Sequence, residues 1–297
     1  MTIYPFTIEL PFCLGIPSVF CIREITGFGL MMMVAFLMAG WAIQLELRRR
    51  GLKEDYAADI VLAAVIGGIV GAKLWFVLLT GASPLQRGGF VWYGGFLGGV
   101  GGVLLTGWRK GVPARWTCEL TAAALPLGHA LGRVGCFLVN DDYGIPSRLP
   151  WAMKFPAGLP PTSVANLEAM HVHFPPGTNP AEIVAVHPTQ LYETATLLLV
   201  FWWLWRLRDH THGVGWRFGV YLVLGGAERF LVEIVRAKDD RLLGPFTLAQ
   251  VTSLGLVLVG LYLMQRWRAP ETLEPAVATA LPPALKGTTV AAAPPPR

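Results

Sequence analysis

The stretch ITGFGLMMMVAFLMAGWAIQL, Ile25 to Leu45, contains no charged side chain. A helix that crosses the hydrocarbon core of a bilayer needs about 20 mostly apolar residues, so this stretch predicts a membrane-spanning helix. Two further runs, 88–108 and 242–265, are of similar length and are also free of charge. These three runs indicate an integral membrane protein.

The composition of the whole chain supports this class. Hydrophobic residues make up 54% of the 297 residues and charged residues 14%, whereas soluble domains carry about 25% charged residues. A soluble globular domain and a disordered chain are therefore both excluded. The net charge is +5, but the cations lie in short stretches between apolar runs, which favours membrane-flanking loops over a nucleic-acid surface.

Four more runs are long enough to span a membrane but contain ionisable residues; they are 57–80, 116–139, 187–205 and 214–235. Together with the uncharged runs they predict an all-α membrane protein with about seven transmembrane helices between residues 25 and 268. The 214–235 run is the most polar of the four, since it contains two arginines and two glutamates.

Three segments lie outside the predicted helices. Residues 1–24 predict an irregular extracytoplasmic lead-in, because prolines interrupt the apolar stretch. Residues 140–186 are polar and rich in proline, and they predict an extracytoplasmic insertion or cap between spans four and five. Residues 269–297 contain seven prolines and predict a disordered cytoplasmic tail.

The distribution of Lys and Arg predicts the orientation. If the N-terminus lies outside, the predicted cytoplasmic segments hold 13 of these residues and the extracytoplasmic segments hold seven. Cytoplasmic loops carry an excess of positive charge, so an outside N-terminus and an inside C-terminus are favoured. The loop at 236–241 is an exception, because Arg236, Lys238 and Arg241 run against this rule.

Glycines recur every four residues in the third predicted span, at Gly94, Gly98 and Gly102. Such spacing makes a flat helix face that another backbone can approach closely. The simpler interpretation is helix packing, and the functional alternative is room for a lipid chain.

The four cysteines do not form a disulfide framework for a chain of this length. Cys118 and Cys136 lie in apolar runs and are interpreted as small core residues. Cys13 and Cys21 flank a short loop and can pair only if that loop is extracytoplasmic.

Ionisable residues at membrane depth are candidates for function, because a charge near the bilayer centre is costly. Arg133 lies two-thirds along the fourth predicted span, with His129 one helical turn earlier on the same face. In the sixth span, Arg229, Glu233 and Arg236 share a face. The structural interpretation is that each arginine pairs with a carboxylate and serves folding alone. The functional alternative is that the two deep arginines, Arg133 and Arg229, bind a lipid phosphate.

Two polar segments flank these spans. Residues 140–144, Asn-Asp-Asp-Tyr-Gly, predict a turn in which Gly144 supplies a positive φ. The fifth span begins HPTQLYE, where His187 fits the N-cap position and Pro188 the first helical turn. Capping explains Glu193 less well, because it lies more than a turn inside the helix. His171 and His173 are too weak a pair to indicate a metal site.

Four motifs taken together resemble the bacterial prolipoprotein diacylglyceryl transferases. They are GRVGCFLVNDDYG at 132–144, HPTQLYE at 187–193, ERFLVEIVR at 228–236 and the glycine-rich YGGFLGG at 93–99. The resemblance extends in order from about residue 15 to residue 268, and the motifs at 132–144 and 187–193 together make it specific.

The resemblance implies an enzyme of the bacterial cytoplasmic (inner) membrane with seven spans and an outside N-terminus. Such enzymes transfer diacylglycerol from phosphatidylglycerol to the lipobox cysteine of a prolipoprotein signal peptide, forming a thioether and releasing glycerol phosphate. The implied partners are phosphatidylglycerol, prolipoprotein signal peptides and membrane lipids, with no nucleic acid. The family needs no metal or cofactor.

The resemblance also assigns candidate residues. Arg133 and Arg229 match the family's essential arginines and would hold the phosphate. The candidates for binding substrate are Asp141, Gly144, His187, Gln190, Tyr192, Glu193 and Glu233. The thiol must lose its proton to react. The candidate proton acceptors are His129 and Tyr93, and the alternative is that the charge of the arginines lowers the pKa of the thiol.

Three positions depart from the family pattern. Tyr93 stands where some members have a His proposed as the base, Phe28 where a Tyr is common, and Cys136 where an Asn is common. The general base is therefore unassigned at this level. A divergent paralogue that binds or transports lipid without catalysis is the alternative function.

The charge distribution generates a test of topology. A reporter that works only in the cytoplasm is expected to be active when it is fused after Arg268 and inactive when it is inserted within 155–180, because of the excess of positive charge on the predicted inner side. Reporter activity in cells, normalised to the amount of fusion protein, measures this. The opposite pattern at both sites would reverse the predicted orientation.

Overall fold

The computed structural model describes residues 1–14, 22–83, 91–237, 241–243 and 246–270. The helices are α1 Gly27–Arg49, α2 Asp55–Thr80, α3 Trp92–Arg109, α4 Ala114–Thr121, α5 Ala124–Leu138, α6 Val164–Ala169, α7 Thr189–Arg206, α8 Trp216–Glu233 and α9 Leu248–Arg266. The strands are β1 Thr7–Leu14, β2 Ile22–Thr26, β3 Arg241–Leu243 and β4 Phe246–Thr247. The described chain is thus mostly helical.

Three of the described helices are long and apolar enough to cross a membrane: α1, α2 and α9. Many of their large apolar side chains are exposed, including Leu37 in α1, Leu78 in α2 and Leu258 in α9. Exposed apolar side chains along a helix are favourable in lipid and unfavourable in water. The structure therefore agrees with an all-α membrane protein.

The chain divides into two compact units. The first comprises Met1–Leu37, Leu125–Arg208 and Gly219–Gln265. The second comprises Met38–Ala124, Asp209–Phe218 and the described residues of Arg266–Arg297. The first unit contains α5 to α7 and most of α8 and α9, and the second contains α2 to α4.

The expectation of an irregular lead-in before the first span is wrong. β1 and β2 form an antiparallel pair in which Thr7 faces Thr26 and Glu9 faces Glu24. The register shifts after Glu9, in the part of β1 that contains Pro11, and a proline has no N–H to donate to a strand ladder. The strands form because β-branched residues such as Thr7, Ile8 and Ile25 favour extended backbone.

The predicted fourth span, 116–139, is also not one helix. It is divided into α4 and α5 by a turn at Ala122 and Ala123. Pro126 accounts for the break, because it lacks the N–H that would bond to the carbonyl of Ala122 and its ring would clash there. Proline is tolerated in the first turn of α5, where no intrahelical donor is needed.

The predicted seventh span starts later than the apolar run, at Leu248. Thr247 and Gln250 form reciprocal hydrogen bonds, with the Gln250 amide donating to Thr247 Oγ1 and the Thr247 amide donating to Gln250 Oε1. This capping box satisfies two backbone donors and sets the first turn of α9.

Glycines bring α2 and α3 into direct backbone contact. Gly67 and Gly71 of α2 face Gly94, Gly98 and Gly102 of α3. A Cβ atom added at Gly98 would lie 2.8 Å from the Cα of Gly71 and closer still to the carbonyl oxygen of Gly67. The packing interpretation of this glycine stripe is confirmed.

A buried ionic cluster organises the second unit. Arg217 is almost fully buried, and its guanidinium lies 3.1 Å from Glu119 and 3.3 Å from Glu46. Arg50 lies 2.7 Å from Glu46 and 3.5 Å from Glu119. Because each charge faces opposite charges, burial of the cluster is tolerated and fixes the end of α1 against α4.

Residues 140–186 of the first unit fold around a small apolar core. Its buried members are Tyr143, Phe155, Leu167, Val186 and Ala237. The N-terminal residues join this segment, since the Ile3 amide donates to the Lys154 carbonyl at 2.9 Å. The segment predicted as a cap is therefore an ordered structure of its own.

Cys118 and Cys136 are free thiols and are partly buried, in line with their interpretation as small packing residues. The side chains of Cys13 and Cys21 lie outside the described part of the chain, as do residues 271–297 of the predicted tail. Their pairing and disorder stay predictions.

The α2–α3 contact generates a test with a matched control. Gly98→Ala is expected to lower the stability by about 1–3 kcal/mol, because the added methyl group meets backbone that cannot move aside. Gly101→Ala on the same helix is expected to be neutral or stabilising by up to about 1 kcal/mol, since nothing lies within 4 Å of its added Cβ. Thermal unfolding of the two purified variants in detergent measures this. Equal stabilities would show that the close contact carries no constraint.

Candidate functional site

Arg133 of α5 and Glu193 of α7 form the first ion pair of the site. Arg133 Nε lies 2.7 Å from Glu193 Oε2, and the Glu193 side chain is completely buried. Glycines let α5 approach its neighbours, since a Cβ at Gly135 would lie 3.2 Å from the Cα of Phe28 in α1. The small residue at 135 therefore lets α5 pack closely against α1.

The α8 helix contributes a second pair and the residue that follows it. Arg229 Nη2 lies 2.7 Å from Glu233 Oε2, one turn along the helix. Arg229 Nη1 also lies 4.0 Å from Glu193. Arg236 Nη1 is 3.5 Å from Glu233, so this carboxylate lies between two arginines.

Asp142 connects the two ends of this series. Its carboxylate lies 2.7 Å from Arg133 Nη1 and 2.5 Å from Arg236 Nη2. The backbone segments that carry these groups pair directly, because the Ile145 amide donates to the Val235 carbonyl at 2.9 Å.

Three arginines and three carboxylates thus alternate around a closed path, which we name the charged ring. Its members, in order, are Arg133, Glu193, Arg229, Glu233, Arg236 and Asp142. All six belong to the first unit. Each charge is flanked by two of opposite sign, which offsets the cost of removing them from water.

The turn at 140–144, which carries the ring member Asp142, differs from the prediction. Asn140 and Asp142, not Gly144, adopt positive φ angles, of 60° and 59°. Asn and Asp tolerate this left-handed conformation better than most residues. Gly144 is needed for space instead, because a Cβ there would lie 2.8 Å from His187 Cβ and from Thr189 Cγ2.

Residues of the HPTQLYE motif hold this turn in place. Thr189 Oγ1 donates to the carbonyl of Asp142 at 2.7 Å, and Gln190 Nε2 donates to the carbonyl of Asp141 at 2.5 Å. Both side chains are fully buried. Gln190 therefore supports the backbone of the ring.

The expected cap of α7 is shifted by one residue. Pro188 occupies the N-cap position and Thr189 the first helical position. His187 lies before the helix, and its Nδ1 is 3.2 Å from the hydroxyl of Tyr192. Tyr192 also accepts a hydrogen bond from Trp151 Nε1 at 2.7 Å. These contacts place His187 and Tyr192 in one hydrogen-bonded group with Trp151.

Of the two neighbouring aspartates, Asp142 and not Asp141 belongs to the ring. Burial alone would raise the pKa of Asp142, but the charges of Arg236 and Arg133 hold it below its usual value. Burial, together with the charge of Asp142, raises the pKa of Asp141. The Asp141 carboxylate accepts the backbone N–H of Asp142 at 2.7 Å, so it shapes the turn.

His129 and Tyr93, the two side chains predicted as proton acceptors, are not part of the ring of ion pairs. His129 lies on α5 one turn before Arg133, and its side chain is exposed on the surface of the described structure. Tyr93 belongs to α3 in the second unit, is half exposed, and contacts Trp92 edge to face. Neither residue is a member of the charged ring.

Sequence reasoning missed Asp142 and Arg236 as site residues. Arg236 was recognisable by its spacing from Glu233, on the same face of the sixth span. Asp142 carried no signal to distinguish it from Asp141, since only the fold decides which carboxylate turns toward the arginines.

The ring has one loosely held arginine. Arg229 is the most exposed of the three, with 23% of its side chain accessible against 14% for Arg133 and 8% for Arg236. Within the described residues its Nη1 has no hydrogen-bond partner. An anion such as a phosphate can therefore engage Arg229 at the smallest loss of existing contacts.

Comparison with known proteins finds similarity to one protein family over most of the chain. The family model described as prolipoprotein diacylglyceryl transferase matches residues 17–266. A phosphatidylglycerol–prolipoprotein diacylglyceryl transferase of Cereibacter sphaeroides is 31% identical over 272 residues, covering 79% of this chain and 88% of its own length. Proteins of the same name from Nitratidesulfovibrio vulgaris and Clostridium tetani are 30% and 27% identical, over 80% of this chain and 88% and 92% of their own lengths.

The contrast between the two aspartates can be tested. Asp142→Asn is expected to lower stability by about 1–3 kcal/mol, the usual range for lost bonds to charged groups. Asp141→Asn is expected to be neutral or slightly stabilising, because the raised pKa of Asp141 means that its charged form is disfavoured in the fold. Thermal unfolding of both variants in detergent at pH 7 gives the comparison.

The pH dependence gives the sign of each effect. The contribution of Asp142 is present above its unfolded pKa and is lost as the pH falls through its lowered folded value. The Asp142→Asn deficit should therefore shrink in acid. A larger loss of stability for Asp141→Asn than for Asp142→Asn would contradict this assignment.

Proposed function

The chain belongs to the prolipoprotein diacylglyceryl transferase family, and we infer from this membership that it performs the reaction for which its relatives are named. It is a transferase that moves the diacylglyceryl group of phosphatidylglycerol to the lipobox cysteine thiol of a prolipoprotein. The sulfur forms a bond to the glyceryl carbon, and the bond from that carbon to the phosphate oxygen breaks. Glycerol phosphate leaves with the electron pair.

Arg133 and Arg229 are the residues that would bind the phosphate in this reaction. A guanidinium can donate two parallel hydrogen bonds to phosphate oxygens, and it stays charged at any physiological pH. Positive charge fixed beside the leaving oxygen stabilises the negative charge that develops there. The single observation that supports this role most strongly is the weak 4.0 Å contact between Arg229 and Glu193, which leaves Arg229 able to turn toward a substrate.

The ring carboxylates act as positioning groups in this proposal. Glu193 holds Arg133 at 2.7 Å, and Glu233 holds Nη2 of Arg229 at 2.7 Å while Nη1 of Arg229 stays available, so both guanidinium groups are positioned before the lipid binds. Asp141, Gly144 and Gln190 support the turn that carries Asp142. These residues contribute to substrate binding through the shape of the site.

His187 and Tyr192 lie beside the same turn and are proposed to contact the substrates directly. The Tyr192 hydroxyl accepts from Trp151 and is therefore free to donate its proton to His187 Nδ1. With Nδ1 as acceptor, the neutral imidazole of His187 carries its own proton on Nε2. That N–H can donate to an oxygen of the lipid or of the peptide.

The membrane arrangement is part of the proposal. We propose seven spans in the bacterial inner membrane, an extracytoplasmic N-terminus and a cytoplasmic tail at 269–297. The ordered segment 140–186 would then lie on the side where prolipoproteins present their lipobox cysteine. The excess of Lys and Arg in the predicted inner segments supports this orientation.

Complementation of a strain depleted of its own diacylglyceryl transferase tests the function. The full chain is expected to restore growth and lipid attachment to a marker prolipoprotein. Arg133→Lys is expected to reduce the transfer rate by about 10²-fold or more, because a point charge cannot replace the bidentate contact with phosphate. Arg148→Lys, on the exposed side of the 140–186 segment, serves as the matched control.

The readout is the initial rate of lipid transfer to a lipobox peptide, at matched membrane levels. Full activity of Arg133→Lys would remove the phosphate role from this residue. A wild-type chain that reaches normal membrane levels yet binds phosphatidylglycerol without transferring lipid would support the non-catalytic alternative instead.

A further inference from the structure

Glu228 is a buried carboxylate that the charged ring does not use. It lies in α8 and is 7% exposed. Its Oε1 accepts a hydrogen bond from Thr196 Oγ1 of α7 at 3.2 Å. Across the residues that the structure describes, no ion pair joins Glu228 to a cation, whereas each carboxylate of the ring contacts two arginines.

A carboxylate in this position is unusual. An ionised side chain inside a span is unfavourable unless it is paired, and a pairing residue such as Glu193 already neutralises the neighbouring arginines. Folding alone therefore gives no reason for a second buried carboxylate beside Thr196. A buried titratable group without a cation partner is a candidate for proton transfer.

The position of Glu228 fits that role. Thr196 lies one turn beyond Glu193 on α7, and the single proton of its hydroxyl is shared between Glu228 and the backbone carbonyl of Tyr192, 2.8 Å away. Glu228 directly precedes the ring member Arg229 on α8, and its hydrogen-bond partner on α7 lies one turn from the ring member Glu193. Thr196 itself is exposed. The buried Glu228 carboxylate therefore lies one hydrogen bond from a surface that lipid or an apolar peptide segment can reach.

The charged groups around Glu228 come from three helices. Glu193 of α7 carries a like charge, while Arg229 of α8 and Arg133 of α5 carry opposite charges. Tyr221 is the other titratable group of α8 that interacts with it. Protonation of Glu228 removes the repulsion between its carboxylate and that of Glu193. Protonation of His129 instead adds a third positive charge to those of Arg133 and Arg229.

We propose that Glu228 is the general base of the transfer reaction, an inference that rests on the function proposed above. The Glu228 carboxylate takes the proton from the lipobox thiol, and the resulting thiolate attacks the glyceryl carbon of phosphatidylglycerol. The carbon–oxygen bond to phosphate breaks, and the electron pair leaves on glycerol phosphate. Glu228 then releases its proton to the leaving phosphate or to water, so charge and protons balance.

This assignment gives the chain a base although Tyr93 is poorly suited to the task. A neutral tyrosine hydroxyl is a weak base, and the six charges of the ring are committed to one another. Among the described carboxylates of α7 and α8 in the first unit, Glu193 and Glu233 are paired with arginines, and Glu228 can take up a proton without breaking an ion pair.

The test compares Glu228→Gln with Glu168→Gln, an exposed residue of α6. The full-length proteins are assayed in phosphatidylglycerol vesicles with a lipobox peptide from pH 6 to pH 9. Glu228→Gln is expected to lose about 10²-fold in rate at pH 7, the usual scale for a general base, with little change in KM for phosphatidylglycerol. Glu168→Gln is expected to match the wild type.

The pH profile separates a proton acceptor from a structural role. Since a free thiol has a pKa of about 8.5, the peptide ionises without help as the pH approaches 9. The deficit of Glu228→Gln is therefore expected to shrink at least tenfold between pH 7 and pH 9. Recovery at high pH also shows that the variant is folded. Thr196→Val, which keeps the carboxylate, is expected to lose less than tenfold.

Three outcomes overturn the assignment. One is a Glu228→Gln rate within threefold of the wild type at pH 7, and another is an equal deficit at every pH, which indicates a packing role. The third is a deficit relieved at high pH in His129→Gln but not in Glu228→Gln. If the wild-type chain itself transfers no lipid, the proposed function fails and this inference fails with it, whereas an active wild type with an active Glu228→Gln removes only the base.

Discussion

The alternation of charge around the buried ring is the constraint on which the site depends. An arginine or a carboxylate removed from water is tolerated only if opposite charges and hydrogen-bond partners surround it. In this protein three arginines and three carboxylates satisfy one another in a closed path, with contacts between 2.5 and 4.0 Å. The helices α5, α7 and α8 and the turn at 140–144 must therefore meet in one arrangement.

The same rule organises the second unit, with a different outcome. Arg217, Glu46 and Glu119 are almost fully buried and are held by Arg50 and by the backbone. Arg229 of the charged ring is more exposed than Arg217 and Arg50, at 23%, and its second contact, beyond the 2.7 Å pair with Glu233, is a 4.0 Å approach to Glu193. One buried cluster fixes helices, whereas the charged ring keeps an arginine that can exchange a carboxylate for a phosphate.

Some features of the site were visible in the sequence because they are local. Arg133 and Arg229 stand out because a charge within an apolar run is costly wherever the chain folds. The pairing of Arg229 with Glu233 follows from helical spacing alone. Asp142 and Arg236 were not found, because their pairing joins residues 94 positions apart. Arg236 runs against the predicted orientation rule, and its two carboxylate partners explain how a cation is accommodated there.

The sequence by itself determined the membrane class, the family and the two deep arginines, since apolar run length, motif order and the cost of buried charge are properties of contiguous residues. Only the tertiary structure decided that Asp142 rather than Asp141 faces the arginines, that Gly144 is required for space, and that Glu228 forms no ion pair within the described part of the chain. These outcomes depend on which side chains from distant segments arrive at the same place. Periodicity and composition carry no information about contacts between distant segments, because they describe one helix face at a time.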